Sequence, residues 1–385
     1  MIRKLILSFC YCALALGAFA RDANDSDAYF RYIQRHGQSP IEYILDKIRT
    51  HSVVILGEDH WIDAHPLFLC DLVAAAELDS TTHIDALAVE FGNERDQALA
   101  DSLMASPVYR EDLVFEILRH TPDDLGNPYK EYADVFYATW KANQSRPADR
   151  RTRILLVDPG YIQEVLDGEE YTYTGSRDDN MFSKIRSCVV RRQKVVFYVG
   201  LAHALNRVYG VKSGDYYYNI PSAGFLLKHC YPEEVCILTL YGAHMGSMGY
   251  IPNTETRWER IAGGLLDRAF QRNGNRPVAF DLRDDFPPLR AETYFTDPRK
   301  APDWSDHPAD GRPYRKSHLL KDQCDGIVFV KPVEEFNGAR LIDIYDEAFL
   351  QTVSKRTKGK CRTAADALRQ VKEWHPILRD PIDNK

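Results

Sequence analysis

Short apolar runs that each end on a glycine or an ionisable residue constrain this chain more than any other feature. They are "VVILGEDH" (53–60), "ALAVEFGN" (86–93), "ILLVDPG" (154–160) and "VVFYVGLAH" (195–203). The runs are rich in β-branched and aliphatic residues and lack polar alternation, as strands covered on both faces must be. Between them lie segments with apolar residues at helical spacing: "PIEYILDKIRT" (40–50), "HPLFLCDLVAAAEL" (65–78), "ERDQALADSLM" (94–104) and "RDDNMFSKIRSCVVRR" (177–192). Strands alternating with helices predict βαβ units and a parallel sheet. "EEVCILTLYGAHMG" (233–246) and "CDGIVFVKPVEEF" (324–336) predict further strands. The expected fold is α/β, with a central, mainly parallel sheet and helices on both faces, a helical insertion at about 105–150 and an extended C-terminal region. With 385 residues and 44% hydrophobic content, the chain can bury a sizeable core. The expected organisation is one α/β domain over 31–350, followed by a helical tail over 351–385.

The N-terminal "MIRKLILSFCYCALALGAFA" places Arg3 and Lys4 before an apolar run and ends in Ala18-Phe19-Ala20. This is the layout of a secretory signal peptide at 1–20, and it predicts an exported protein, periplasmic or extracellular. Removing it takes two positive charges from a formal net charge of −7, leaving −9. No other segment is long and apolar enough to span a membrane. No basic stripe stands out in the sequence, so nucleic acid is not an expected partner. Six cysteines follow the leader, at wide, irregular spacings and without a CxxC pair, which excludes a zinc ribbon. Cys230 and Cys236 flank "YPEE" and could pair or stay as buried thiols. There is no Gly-rich phosphate loop and no G-x-S-x-G elbow, which argues against a nucleotide enzyme and a serine hydrolase.

In open α/β sheets, sites form at the carboxyl ends of the strands. Four expected strand ends carry polar groups: Glu58 with His60, Glu90, Asp158, and Gly200 with His203. A parallel sheet brings such ends onto one edge, although each residue taken singly could be a helix cap or turn residue. A Glu and a His together can share proton transfer. The set Glu58, His60, Glu90 and His203 could equally hold a divalent metal, since imidazole plus carboxylate suits zinc, manganese or iron. His65, Arg177, Asp178 and His244 are further candidates, for binding a substrate. The "YYYN" run at 216–219 reads as an interface or packing cluster.

Several of these stretches resemble one superfamily. "LGEDHWIDAH" is similar to the opening motif of the ChaN-like haem-uptake proteins. "VEFGNERDQALAD" resembles their Glu-Phe motif, "RDDNMF" their Arg-Asp-x-x-Met motif and "VVFYVGLAH" their Gly-x-x-His motif, in the same order. The clan also includes the erythromycin esterases and the TIKI/TraB metalloproteases, and the resemblance covers roughly residues 50–250. It implies Glu/His esterase chemistry in one branch, metal-dependent proteolysis in another and haem binding in the ChaN-like branch. The expectation is an exported hydrolase-like protein with a Glu/His site acting on a small molecule. The alternative is a non-catalytic haem- or ligand-binding protein. The cofactor stays open between none, a divalent metal and haem, and the oligomeric state is open as well.

Overall fold

The computed structural model describes residues 26–121, 123–160, 162–168, 175–213, 216–243, 258, 260–291 and 319–381. Its strands are β1 (Val53–Glu58), β2 (Ala86–Asn93), β3 (Arg153–Asp158), β4 (Val195–Gly200), β5 (Val208–Ser213), β6 (Tyr216–Pro221), β7 (Val235–Leu240), β8 (Val278–Asp281) and β9 (Gly326–Phe329). Among the described residues, seven of them form one sheet in the order β3-β2-β4-β1-β7-β9-β8. Every neighbouring pair is parallel except β8 with β9. β5 and β6 pair antiparallel, apart from this sheet.

The absence of polar alternation has the expected cause, because both faces are covered. β1 sends Val54 and Leu56 into one apolar cluster and Val53 and Ile55 into the other. The first cluster is closed by helices Pro40–Thr50, Ala64–Leu78 and Lys130–Gln144, through Ile44, Leu69, Leu72 and Phe136. The second is closed by helices Arg177–Val190, Ala223–Cys230 and Leu265–Arg272, through Met181, Ile185, Leu227 and Phe270. At roughly 1.5–3 kcal/mol per fully buried aliphatic or aromatic side chain, this double burial is the main force holding the strands in register. The β3 edge is blocked by Gln97. Its side-chain amide donates to the Ile154 carbonyl at 2.8 Å and accepts from the Leu156 N–H at 2.9 Å, taking the place of a further strand.

The segment between β2 and β3 is helical, as expected, and comprises Gln97–Ala105, Glu111–Arg119 and Lys130–Gln144. The C-terminal helices Glu347–Arg356 and Ala364–Trp374 pack Phe349, Val353 and Val371 into the same first cluster. Two details differ from the sequence reading, the extent of β4 and the strand β8. The apolar run of β4 stops at Gly200, and His203 lies on a short helix, Leu201–Ala204. The 216–219 run lies in β6. The antiparallel edge strand β8 carried no expectation, because four residues are too few to show a period. Cys230 and Cys236 do not pair, and all six cysteines after the leader are free. Among the described residues, no helix is long and apolar enough to cross a membrane. The leader lies outside the described residues.

Candidate active site

β4 sits between β1 and β2, so the end of β4 separates Glu58 from Glu90 and sets the distance across the site. Glu58 pairs in register with Gly200. The pairing of β2 with β3 shifts register between Val89 and Asn93, and a bulge of this kind re-aims a side chain. Here it turns Glu90 toward Gly200, whose N–H donates to Glu90 Oε1 at 2.8 Å. Glycine is required at position 200. A Cβ there would meet the His60 ring at 2.7 Å and Glu90 Oε1 at 2.9 Å.

His60 lies across this gap between two carboxylates. Its Nδ1 is 2.6 Å from Glu58 Oε1 and its Nε2 is 3.3 Å from Glu90 Oε1. Burial works against charge on the ring, but Glu90 and Glu58 outweigh it and push the imidazole up to about 9. The ring keeps 43% of its side-chain surface exposed, so it is charged and still reachable at neutral pH. Glu58 is enclosed. The Tyr132 hydroxyl donates to Oε1 at 2.7 Å and the Tyr198 hydroxyl donates to Oε2 at 2.9 Å. Burial would raise the Glu58 carboxyl, yet the His60 charge and the donated hydrogen bonds hold it below the usual range. Both phenols are pushed well above their ordinary value, first by burial and then by the Glu58 charge, so they remain donors. Beside them, burial and then the Glu58 charge push Asp59 up to about 7.

The far wall comes from β3 and helix Arg177–Val190. Arg177 forms a two-point pair with Asp158, Nε to Oδ1 at 2.8 Å and Nη2 to Oδ2 at 3.0 Å. The second nitrogen also lies 3.9 Å from Glu90 Oε2. Asp158 is fully buried, which raises its carboxyl against the pull of Arg177. His203 is held through Nδ1 by Asp178 Oδ1 at 2.8 Å, and its Nε2 stands 3.9 Å from Glu90 Oε2. Glu90 Oε2 is buried without a hydrogen-bond partner. It is the open acceptor toward which Arg177 and His203 both point.

The structure therefore brings Glu58, His60, Glu90, His203 and Arg177 together. Asp178 is buried and takes both His203 Nδ1 and the Ala223 N–H at 2.7 Å, so it orients His203 and does not face a substrate. His65 is completely buried. It accepts from the Asp59 N–H at 3.3 Å and lies 3.4 Å from the Tyr241 carbonyl, pinning the loop after β1 to the end of β7. Its expected binding role is corrected, because it has no surface to offer. His244 lies outside the described residues. Sequence reasoning missed Tyr132, Tyr198 and Trp61. Trp61 adopts a left-handed backbone, φ 68°, which is costly for a bulky residue. Its indole donates to the Tyr129 hydroxyl at 3.1 Å and stacks on His375 at 4.1 Å, and its carbonyl accepts from the Ala339 N–H at 2.7 Å. The C-terminal region thus clamps the residue after His60. Only the left-handed backbone lacks any sequence signal; the two tyrosines sit in apolar patterns that conceal a polar job.

No family model matches the chain, and no curated protein matches it. Solved structures that align with the chain include a Bacillus cereus protein at 10% identity, covering 80% of this chain and 98% of that one, with a TM-score of 0.45. A mutant of erythromycin esterase EreC in its open conformation aligns at 11% identity over 76% of this chain and 93% of its own, with a TM-score of 0.41. ChaN of Campylobacter jejuni, solved with cofacial haem, aligns at 12% identity over 54% and 87%, with a TM-score of 0.28. At such identities no substrate carries over to this chain.

Proposed function

We propose that the chain is a hydrolase that uses His60 as a proton donor and Glu90 as its base, without a resident metal. The observation behind this reading is the His60 ring with one carboxylate oxygen at each nitrogen. A charged imidazole cannot accept a proton, so in the proton transfer that a Glu and a His can share, His60 is the acid. Glu90 Oε2, unpartnered and buried, takes the proton from an attacking water. His60 Nε2 delivers one to the leaving group, and Glu58 keeps the ring oriented and charged. Arg177 and His203 flank the position where negative charge would develop.

The donor atoms of Glu58, His60 and Glu90 lie within 4.8 Å of one another, a span that one divalent ion can bridge. They do not fit one well. Glu58 Oε1 already accepts from His60 and Tyr132, Oε2 from Tyr198, and Glu90 Oε1 from Gly200. The same geometry disfavours the haem-binding alternative. Both His60 nitrogens face carboxylates, and His203 has one nitrogen tied to Asp178 and the other facing Glu90. An iron ligated by either histidine would stand against the Glu90 carboxylate. A panel of small esters and amides, assayed with wild type, His60→Ala and Glu90→Gln, tests the proposal. Turnover lost in both variants supports it. No turnover together with a saturable Soret shift on haem titration favours the binding protein. The proposal keeps the activity outside the cytoplasm, on the strength of the leader at 1–20; N-terminal sequencing that finds Arg21 first supports export.

A further inference from the structure

The edge of the sheet opposite the site gathers three loops that are far apart in sequence. The Asp85 N–H donates to the Lys194 carbonyl and the Arg153 N–H to the Asp85 carbonyl, both at 2.9 Å. Arg146 Nη2 donates to the Ala76 carbonyl at 2.8 Å and Thr152 Oγ1 to the Ile84 carbonyl at 2.8 Å. These contacts join the end of helix Ala64–Leu78, the 145–153 loop and the 190–194 turn into one surface. Two aliphatic side chains stand out from it, Leu78 at 85% and Val190 at 68% exposure. Around them lie Arg146, Arg150, Arg191 and Arg192. Arg150 and Arg192 are exposed and have no carboxylate partner among the described residues. Of the acids nearby, Asp79 is paired with Arg49, Asp85 accepts from the Lys194 N–H and Glu77 from the Ser145 hydroxyl, both keeping their charge, and Asp149 lies next to Arg150 in sequence, so the four arginines outnumber the unpaired acids by one.

We infer that this amino-edge surface docks on an anionic lipid bilayer, with Leu78 and Val190 entering the headgroup region and the arginines meeting lipid phosphates. Exposed aliphatics at the tips of basic loops suit a membrane interface. A bilayer meets both features at once, since its headgroup region takes apolar side chains and its phosphates take the arginines. β1 spans six residues, about 20 Å at ~3.3 Å per residue, so docking leaves the opposite, carboxyl edge facing solvent. Arg192 has φ 59°, so Asn is the replacement that removes the charge and keeps the left-handed turn.

Co-sedimentation with vesicles tests this independently of hydrolysis, because none of these residues touches the site. Wild type should bind phosphatidylcholine vesicles containing about 30 mol % phosphatidylglycerol and not pure phosphatidylcholine, with binding that fades as salt rises. Arg150→Gln with Arg192→Asn should weaken binding about 25-fold, about fivefold for each arginine. Leu78→Ser with Val190→Ser should weaken it about tenfold, and circular dichroism of both double variants should match wild type. Equal binding to neutral vesicles, or no binding to anionic ones at low salt, overturns the inference. So does displacement by glycerol phosphate at matched ionic strength, which would indicate a discrete phosphate site, or retention on polyglutamate without vesicle binding, which would indicate an acidic protein partner.

Discussion

The two edges of one sheet use the same kinds of side chain to opposite ends. At the carboxyl edge, Glu58, Glu90 and Asp158 are buried, and each is matched to a histidine, an arginine or a phenol within hydrogen-bond or ion-pair reach. At the amino edge, Arg150, Arg191 and Arg192 stand in solvent, and the loops are tied together through backbone carbonyls. Burial makes the difference. A carboxylate at the first edge must be satisfied or pushed off its ordinary pKa, and that requirement organises a site around it. The exposed Arg150 and Arg192 at the second edge are satisfied by water and contribute only field.

The largest expected effect belongs to the buried edge. His60→Ala and Glu90→Gln should each lower kcat/KM on a responsive ester by about 10²–10⁴-fold, as lost general acid–base help typically does, while leaving the thermal transition sharp. Arg150→Gln should leave the same rate unchanged. If the amino-edge variant lost as much activity as His60→Ala, the contrast between the edges would collapse.

Next in size are the phenols. Tyr132→Phe and Tyr198→Phe each remove one hydrogen bond to a charged carboxylate, worth about 1.5–3 kcal/mol. Each should cost roughly tenfold or more in kcat with little change in KM. Unchanged kinetics in both would mean that Glu58 needs no holding.

A smaller effect follows from the charge on His60. Its folded pKa is raised to about 9, above the ordinary value near 6.5. The stability gained from that charge is therefore complete below about 6.5 and lost as pH rises through about 9. Denaturant midpoints should fall over that upper range in wild type and stay flatter in His60→Ala. Equal slopes would place the charge elsewhere. The smallest expected effect is none: overnight dialysis against a chelator should leave the rate unchanged, and a loss restored by zinc or manganese would revive the metal reading.

Much of this was legible in the sequence because it follows from period and position. Unbroken apolar runs such as Val53–Leu56 and Val195–Val199 announced strands covered on both faces, and their ends located Glu58, Glu90 and Gly200 on one edge. Arg177 and Asp158 were visible as a helix start and a strand end. What stayed hidden depends on packing across the fold. Tyr132 reaches Glu58 only because helix Lys130–Gln144 packs on helix Ala64–Leu78. Tyr198 reads as one more strand residue. His65 has the spacing of a site residue yet is consumed by backbone groups, the Asp59 N–H of its own loop and the Tyr241 carbonyl at the end of β7. The arginines near 150 and 191 are some forty residues apart in sequence, and only the sheet makes them one surface.

The account rests on His60 carrying its proton between Glu58 and Glu90. The most direct measurement is a nitrogen-15 NMR titration of the histidine rings, with His60→Ala used to assign the resonance. The account predicts that both His60 ring nitrogens stay protonated through neutral pH and titrate near 9, and that the midpoint falls in Glu58→Gln and in Glu90→Gln. A His60 ring that is neutral at pH 7 and indifferent to both substitutions would contradict it.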